Sequence, residues 1–442
     1  MASTYLTKTF SSSQTNAKKG TISFWFKSAA NDSSNSFYRL FATGADTVNR
    51  SDININHPVS STGVLNIVYF NTSSQDDTLT TTRTFRDFNA WYHLVIAYDT
   101  TQSTASNRIK LYVNGVQETS FSTENYPEQN DNLHFGNNSS AHHIGNSPHY
   151  NPRFFSGAMS HFHYCDGYTY AASDFGSTDA TTGEWKINTS PNVQYGNNGF
   201  FILKNGNSVT DQSGNGNNFT VSGGTLTKTE DCPSNVFATM NSLNYTSSAI
   251  AYANGNTKPQ YPGSWIASLG TLGAKAGKYY WEAKVASGNN QNLFYGISTA
   301  AVDLDTSPQN KAGVISQHIN GDRYVDTTYT ASAAEALTNG DILGVALDLD
   351  SGTKTVKFYK NGSLLTSSSS VNLTSTFDDE FIFPIFIGNN SSASSAWEVN
   401  FGNGYFGTTA VSSAGTNASN LGIFEYDVPS GYTALCTKGL NE

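Results

Sequence analysis

The sequence contains few cysteines, few charged residues and no long apolar run. Its three cysteines, Cys165, Cys232 and Cys436, are odd in number and widely spaced, which argues against a disulfide framework. No stretch approaches the roughly 18 apolar residues of a transmembrane helix, so we expect no membrane insertion. Only 13% of residues are charged and the net charge is −10. Nucleic-acid-binding proteins carry clustered basic residues instead, so we expect no nucleic-acid partner.

Two further kinds of segment are missing. The first residues, MASTYLTK, contain no apolar core of a signal peptide, so we expect no secretory signal and folding in a cytoplasm. Runs of helix-forming residues at helical spacing are scarce, so long amphipathic helices are not expected. What the chain has instead is 24 Tyr, 27 Phe and 6 Trp, enough aromatic material for large cores.

One strand-and-turn pattern occurs twice. Residues 108–115 read RIKLYVNG and residues 355–362 read TVKFYKNG, and each copy follows an apolar strand that ends in aspartate. Alternating apolar and polar residues before Asn-Gly predict a β-hairpin, because both turn residues must reach positive φ. The copies lie 247 residues apart, whereas solenoid repeats recur every 20–50 residues or so. The pattern therefore predicts two separate β domains with one hairpin design.

The spacing of short strands and turns predicts the fold class. We expect an all-β protein with two jelly-roll or concanavalin-like antiparallel β-sandwich domains in tandem. The first sandwich should cover residues 1–185 and the second residues 261–442. Residues 186–260 are rich in Asn and Gly and should form an irregular bridge with short strands. Residues 170–175 could form a short helix, and residues 5–10 should form the first strand of their own sheet.

Each half of the chain resembles a different family. WYHLV at residues 91–95 and LYVNG at residues 111–115 resemble the laminin-G-like, or concanavalin-A-like, jelly roll. The second half is similar to the SPRY domain, with YYWE at residues 279–282, GDILGVALDLD at 340–350 and FYKNG at 358–362. Both resemblances imply two-sheet sandwiches.

A narrower series of motifs resembles a tailed-bacteriophage virion family in which these two modules lie in tandem. The series is, in order, CDG at 165–167, DFG at 174–176, TGEW at 182–185, NNGFF at 197–201, DQSGNGNNFT at 211–220 and PSGYTAL at 429–435. This resemblance implies a virion structural protein, usually a tail fibre or an appendage. The sequence departs from the family pattern over residues 303–335, where loops would set binding specificity.

The expected function follows from that resemblance. We expect a non-enzymatic phage virion protein, a tail fibre or capsid appendage, that binds host-surface glycans and other virion proteins. Its location would be the virion, and a homotrimer would form only within the particle. Two alternatives stay open: a purely architectural capsid decoration protein, and a polysaccharide-degrading enzyme on the same fold. The attachment position and the glycan are not specified by the sequence.

The sequence offers no catalytic pair. A retaining glycosidase needs two carboxyls about 5–5.5 Å apart, and the pattern Glu-x-Asp-x-x-Glu is absent. Glu425 and Asp427 come nearest, but Ser430 takes the place of the second glutamate. The glycine-rich residues 270–278 do not fit a phosphate loop, because only three residues separate Gly273 from Gly277 and Tyr279 stands where Ser or Thr is needed. We therefore predict no enzyme activity, no catalytic residue and no cofactor.

Two groups of residues raise the question of a metal. Eight of nine histidines precede residue 164, and His161 and His163, two apart on a predicted strand, could share one face. Asp99, Asp348 and Asp350 end the strands before the hairpins, although Ca²⁺ needs six to eight oxygens. We interpret the histidines as satisfied within the fold and the aspartates as turn residues. We predict no metal, leave ligand-binding residues unassigned and expect four tryptophans in the cores: Trp25, Trp91, Trp281 and Trp397.

Overall fold

The computed structural model describes residues 3–29, 37–56, 61–71, 77–150, 153–204, 208–243, 250–261, 264–286, 292–365, 370–389 and 396–441. Within these residues, the helical elements are short 3₁₀ turns at Ala105–Asn107, Ala172–Asp174, Pro308–Asn310, Ser375–Phe377 and Gly439–Asn441. The helix expected over residues 170–175 is therefore a single 3₁₀ turn. Within the described ranges, no helix is long and apolar enough to cross a membrane.

The chain forms two compact units, and the first ends at Lys228. Its strands are β1 (Tyr5–Lys8), β2 (Lys19–Ser28), β3 (Phe37–Gly44), β4 (Asn49–Asn56), β5 (Val64–Asn71), β6 (Asp77–Thr84), β7 (Tyr92–Asp99), β8 (Ile109–Val113), β9 (Val116–Gln117), β10 (Phe121–Glu124), β11 (His142–Ile144), β12 (Gly157–Asp166), β13 (Gly176–Thr178), β14 (Trp185–Ile187), β15 (Phe200–Ile202) and β16 (Thr220–Ser222). One sheet has the order β10-β6-β5-β4-β3-β11-β1-β16 and the other β15-β12-β2-β7-β8-β9. Strand β1 pairs with β11 and β16, as expected for the first strand of its own sheet.

The two large sheets of the first unit enclose one aromatic-rich core. Ile22, Phe24 and Phe26 alternate along β2 and are completely buried. Phe41 of the eight-stranded sheet packs against Phe162 of the six-stranded sheet, with ring centroids 5.4 Å apart. Alternate residues of a strand point to one face, so the period-two pattern places these side chains between the sheets.

The second unit runs from Thr229 to Glu442. Its strands are β17 (Ala251–Ala253), β18 (Lys258–Gln260), β19 (Ile266–Leu269), β20 (Lys278–Val285), β21 (Leu293–Thr299), β22 (Val314–His318), β23 (Arg323–Val325), β24 (Thr328–Thr330), β25 (Ile342–Asp348), β26 (Thr355–Lys360), β27 (Ser363–Leu364), β28 (Ser370–Asn372), β29 (Ile382–Gly388), β30 (Trp397–Asn400), β31 (Tyr405–Phe406), β32 (Thr409–Ala410) and β33 (Thr433–Ala434). A six-stranded sheet has the order β19-β29-β21-β22-β23-β24. A seven-stranded sheet contains β27-β26-β25-β20-β30, with β28 beside β26 and β33 beside β20.

The second core also joins its two sheets. Trp281 and Trp397 come from the seven-stranded sheet and are completely buried, as expected from the sequence. Tyr295 from the six-stranded sheet meets Trp397 edge-on, with ring centroids 5.6 Å apart. The aromatic residues of both sheets thus fill the space between them.

A buried carboxylate fixes the C-terminal part of the second unit to its sheet. Glu282 of β20 accepts hydrogen bonds from the backbone N–H groups of Glu425, at 2.8 Å, and Tyr426, at 2.9 Å. Strand β33 pairs in parallel with β20, an exception to the antiparallel pattern. Residues of the PSGYTAL motif thus complete the second sandwich.

Residues 186–260, expected to bridge the sandwiches, divide between the two units. Strand β15 extends the six-stranded sheet of the first unit by pairing with β12, and β16 pairs with β1. Strands β17 and β18 lie beyond the boundary at Lys228 and form a small pair in the second unit. The Asn- and Gly-rich composition reflects tight turns between these short strands, such as the turn around Asn254 and Gly255, which both have positive φ.

Both Asn-Gly turns form the hairpins that the sequence predicts. One joins β8 to β9 and the other joins β26 to β27. The φ angles are 47° at Asn114 and 80° at Gly115, and 50° at Asn361 and 80° at Gly362. Positive φ at both central residues is the type I′ geometry, which matches the twist of the flanking strands.

Candidate functional site

The aspartates that end the strands before the hairpins are held by local hydrogen bonds. Asp348 accepts hydrogen bonds from the backbone and hydroxyl of Ser351 and forms an ion pair with Lys278, at 2.9 Å. Asp99 accepts hydrogen bonds from the backbone N–H of Thr101 and the side-chain amide of Gln102, and it forms an ion pair with Lys19, at 3.2 Å. These oxygens already have partners, so the geometry is that of turn and capping aspartates.

The two acids weighed as a catalytic pair are engaged in separate loop contacts. Glu425 accepts hydrogen bonds from the backbone N–H and the hydroxyl of Ser412. Asp427 accepts a hydrogen bond of 2.6 Å from the backbone N–H of Thr416, which lowers the pKa of this carboxyl. Each carboxylate therefore closes its own loop.

His161 and His163 lie beside each other at a β-bulge. The register between β12 and β2 shifts between Ser160 and His163, and His161 has a positive φ of 48°. Both rings contact Phe201, with centroids 5.8 Å and 3.8 Å away. The alternating sequence pattern did not predict this bulge. The bulge interrupts the regular strand alternation by which the two side chains were expected to share one face.

Each of these two rings has its own hydrogen-bond partner. Nδ1 of His161 lies 2.7 Å from the hydroxyl of Ser160, and Nδ1 of His163 lies 2.9 Å from the hydroxyl of Tyr195. Burial lowers the pKa of both imidazoles, that of His161 to about 4, so both are neutral at neutral pH. In the described parts of the chain, no three His, Cys, Asp or Glu side chains gather in a metal-binding group. His57 lies outside the described residues.

Trp25 is buried, but not between the two sheets. Its ring stacks on His93 with centroids 4.7 Å apart, on the face of β2 opposite Phe24 and Phe26. Nδ1 of His93 accepts a hydrogen bond of 2.9 Å from the indole N–H of Trp185. Trp185 on β14 thus helps to cover the outer face of the six-stranded sheet.

The glycine-rich residues 270–277 connect β19 to β20, and Lys278 is the first residue of β20. Ala274 bridges to Ile382 through backbone hydrogen bonds, and Lys275 donates to the carbonyl of Asp379, at 2.6 Å. Lys278 is paired with Asp348. Both lysines are therefore engaged by protein oxygens.

An aromatic stripe crosses the outer face of the six-stranded sheet of the second unit. Four of its rings lie on the neighbouring strands β21 to β24, and the fifth lies just before β19: Phe294, His318, Tyr324, Tyr329 and Trp265. Phe294 lies at its centre, with its ring centroid 5.3 Å from Trp265 and 4.5 Å from His318. Tyr324 and Tyr329 continue the stripe toward the edge strand β24, 5.2 Å apart.

Exposure is lowest at the centre of the stripe and increases from there toward β24. Phe294 is 6% exposed, whereas Tyr329 is 51% exposed. Trp265, His318 and Tyr324 are partly exposed between these extremes. The centre of the stripe therefore packs on the sandwich, while the end at β24 offers ring faces to solvent.

Polar groups surround the exposed end of the stripe. Asp322 accepts hydrogen bonds from the backbone N–H of Ser332, at 2.9 Å, and from the side chain of Asn320, at 3.0 Å. These bonds lower the pKa of Asp322, the bond from Ser332 most of all, and the hydroxyl of Tyr329 also bonds to this carboxyl. An ionised carboxylate and an exposed amide, which bond to each other, thus lie beside two partly exposed rings.

Sequence reasoning did not identify these rings. The tryptophans expected in the cores lie in strong strand patterns, whereas the stripe depends on Trp265, just before β19, and on tyrosines in short strands. Tyr324 and Tyr329 do lie within residues 303–335, the segment expected to set binding specificity. The available signal was two tyrosines close to Asn320 and Asp322 in a segment without a strong strand pattern.

Comparisons with known proteins agree with the two sandwiches. Residues 2–172 match the family model described as the concanavalin A-like lectin/glucanases superfamily, of laminin-G type. Residues 278–404 match the SPRY domain model. Domains of these two kinds are typically non-catalytic binding modules. No curated protein matches this chain.

Several solved structures are similar in part. The SPRY domain of human HERC1 is 18% identical, covers 32% of this chain and 87% of its own, and has a TM-score of 0.27. The TRIM65 PSpry domain is 12% identical, covering 36% and 89%, with a TM-score of 0.29. A heptameric pentraxin from Limulus polyphemus is 14% identical, covering 50% and 86%, with a TM-score of 0.30. By its two family matches and its sheets, the chain carries a laminin-G-like, concanavalin-A-like domain followed by a SPRY domain, both β-sandwiches.

Proposed function

We propose that this protein is a non-enzymatic virion protein, a tail fibre or capsid appendage, that binds host-surface glycans with its aromatic stripe. The observation that carries the glycan assignment is the pair of partly exposed rings, Tyr324 and Tyr329, beside Asp322 and Asn320. Sugar rings have apolar C–H faces that pack on aromatic rings and hydroxyls that need hydrogen-bond partners. The outer end of the stripe offers both kinds of contact.

The virion assignment is supported by the ordered series of motifs along the chain. The series runs from CDG at residues 165–167 to PSGYTAL at residues 429–435 and resembles a tailed-phage family with the same two modules. Made in the host cytoplasm, the chain would join the particle through other virion proteins. Location on the virion would also multiply weak glycan contacts, because many copies on one particle raise the effective concentration.

The proposal that the protein is not an enzyme is supported by the hydrogen bonds that the two candidate acids already make. Glu425 and Asp427 each bind a different loop, at Ser412 and Thr416. A glycosidase needs two free carboxyls facing one bond. Incubation with host polysaccharide should release no reducing ends, and release above a buffer control would support the depolymerase alternative instead.

The oligomeric state is proposed to depend on the particle. Strand β1 is paired on both sides within its own sheet, so it has no free edge for a neighbouring chain. We expect light scattering of the purified chain at micromolar concentration to give a monomer mass. A stable trimer under those conditions would contradict this part of the proposal.

Purified virions and host cells provide the test of the virion assignment. Mass spectrometry of purified virions should detect the chain, and its absence would contradict the virion assignment. The purified protein should also compete with virions for adsorption to host cells, while the Tyr329→Ala variant should compete less well. Normal adsorption together with particles that fall apart more readily when the chain is missing would favour the architectural alternative.

A further inference from the structure

Three arginines gather around the ring of Tyr150 in the first unit, and two of them also contact the carboxylate of Asp52. This arginine cluster consists of Arg39 on β3, Arg50 on β4 and Arg153. Asp52 accepts a hydrogen bond of 2.7 Å from Nε of Arg50 and lies 3.2 Å from Nη1 of Arg39. The side chains of Arg39, Arg50 and Asp52 are 8%, 9% and 1% exposed. Along their strands they alternate with core residues such as Tyr38 and Ile53, so they lie on the outer face of the sheet.

The cluster carries more positive than negative charge. In the part of the chain that the structure describes, the one acid that forms an ion pair with any of the three arginines is Asp52. Burial lowers the pKa of Arg39; Asp52 counteracts this, while the charges of Arg50 and Arg153 lower the pKa further. Nε of Arg39 and Oδ1 of Asp52 are buried without a hydrogen-bond partner. Buried guanidinium groups usually have their N–H donors satisfied, so the unpartnered Nε–H of Arg39 gives the cluster spare donor capacity for an anion.

Aromatic rings hold the guanidinium groups in place. The ring centroid of Tyr150 lies 5.3 Å from Cζ of Arg39, 5.2 Å from that of Arg50 and 5.8 Å from that of Arg153. Phe37 lies 4.9 Å from Cζ of Arg153. Ring faces attract the cations but leave their in-plane N–H groups available.

The cluster can be reached from solvent. Phe37, Tyr150 and Arg153 are partly exposed, whereas Arg39 and Arg50 lie behind them. We propose that the arginine cluster binds an oxyanion, the carboxylate or sulfate group of an acidic glycan. Planar guanidinium groups bind such oxyanions with paired hydrogen bonds. The assignment to a glycan rests on the proposed function, whereas oxyanion binding by the cluster does not.

The test is calorimetric titration of the full-length protein with sodium sulfate and sodium glucuronate, with methyl glucoside as the uncharged comparison. Both anions should bind, and the Arg153→Gln variant should bind them at least about tenfold more weakly. The control is Arg86→Gln, which removes the same charge from an exposed arginine of the same domain and should bind like the wild type. A thermal melt of each variant establishes that it is folded. Should Arg153→Gln fail to fold, Arg153→Lys keeps the charge without the paired donors and should still bind less tightly.

The outcomes separate this proposal from the glycan function. Equal anion binding by the wild type and Arg153→Gln, or no binding of either anion, would overturn the oxyanion site. The Tyr329→Ala variant, altered in the other unit, should bind sulfate normally. Sulfate binding without any binding of host polysaccharide would leave the oxyanion site standing and contradict the glycan function.

Discussion

The side chain of Asn114 binds the backbone of His93 at the start of β7. Oδ1 of Asn114 accepts a hydrogen bond of 2.8 Å from the N–H of His93, and the N–H of Asn114 donates to the carbonyl of His93, at 2.9 Å. Asn361 and Ile342 make the same pair of bonds in the second unit, both at 2.8 Å. The asparagine of each Asn-Gly turn thus has two roles: it adopts positive φ and it fixes the beginning of the adjacent strand.

Replacing either asparagine with alanine should destabilise its own domain. Asn114→Ala removes the acceptor for a backbone N–H and places a residue with a β-carbon at positive φ, for a cost of about 1–2 kcal/mol. Asn361→Ala should cost a similar amount in the second unit. Denaturant unfolding monitored by intrinsic fluorescence measures both.

The matched control for the asparagine variants is glycine. Asn114→Gly keeps the positive φ and loses only the side-chain acceptor, so it should cost less than Asn114→Ala. Equal costs for the two variants would show that the turn conformation contributes nothing to the effect.

The glycines of the same turns should be even less tolerant. A β-carbon at Gly115 would collide with the indole ring of Trp185, and one at Gly362 would collide with the ring of Tyr426. Gly183 has a similar φ of 74° and open space around it, so Gly183→Ala isolates the backbone cost of about 1–2 kcal/mol. We expect Gly115→Ala to lower the free energy of unfolding by clearly more than Gly183→Ala does. A similar loss for both would contradict the close packing of Trp185.

The stability of the second domain should fall as the pH rises from about 4.5 to about 7. Burial raises the pKa of Glu282 to about 7 from its usual 4.5, although hydrogen bonds from the backbone of Glu425 and Tyr426 oppose the shift. The folded state then binds more protons than the unfolded state across this range, and the loss is at most about 3 kcal/mol. Unfolding of Glu282→Gln over the same pH range should lack this component. An unchanged pH profile in the variant would contradict the assignment.

Acid should destabilise the same domain through a different carboxyl. Partial burial opposes the ionisation of Asp348, but hydrogen bonds from Lys278 and Ser351 prevail and lower its pKa to about 2 from 3.8. A lowered pKa in the folded state gives stability that is present above about pH 3.8 and is lost as the pH falls toward 2. Lys278→Met should reduce this acid-dependent loss, as measured by thermal melts between pH 2 and pH 5. A profile identical to the wild type would show that the ion pair does not act on Asp348.

The hairpins were predictable because their signal is local. Asn-Gly after an alternating strand determines the backbone geometry of a few consecutive residues, so both turns and the two-sandwich fold could be inferred. The bulge at His161 could not, since the positive φ arises from pairing with the distant strand β2. Local composition likewise did not reveal that β15 and β16 complete the sheets of the first unit.

The aromatic stripe could not be predicted from the sequence either, because it also depends on contacts between distant residues. Its rings come from separate strands, and which of them share a face depends on the register, such as the pairing of Phe294 with His318. From the sequence we expect binding specificity in residues 303–335, but the sequence did not indicate that Tyr324 and Tyr329 of this segment would share a sheet face with Trp265. Identifying the rings of the stripe needed the sheet order, which only the three-dimensional fold supplies.

The most direct test of glycan binding by the stripe compares two variants with the wild type. The quantity measured is the affinity of each protein for purified host-surface polysaccharide. Tyr329→Ala removes an exposed ring of the stripe, and Phe381→Ala removes a ring of equal exposure, 51%, located just before β29 and outside the stripe. Calorimetric titration should show at least about fivefold weaker binding for Tyr329→Ala, a loss of about 1 kcal/mol, and wild-type binding for Phe381→Ala. Equal affinity in the wild type and both variants would contradict the claim that the aromatic stripe binds the glycan.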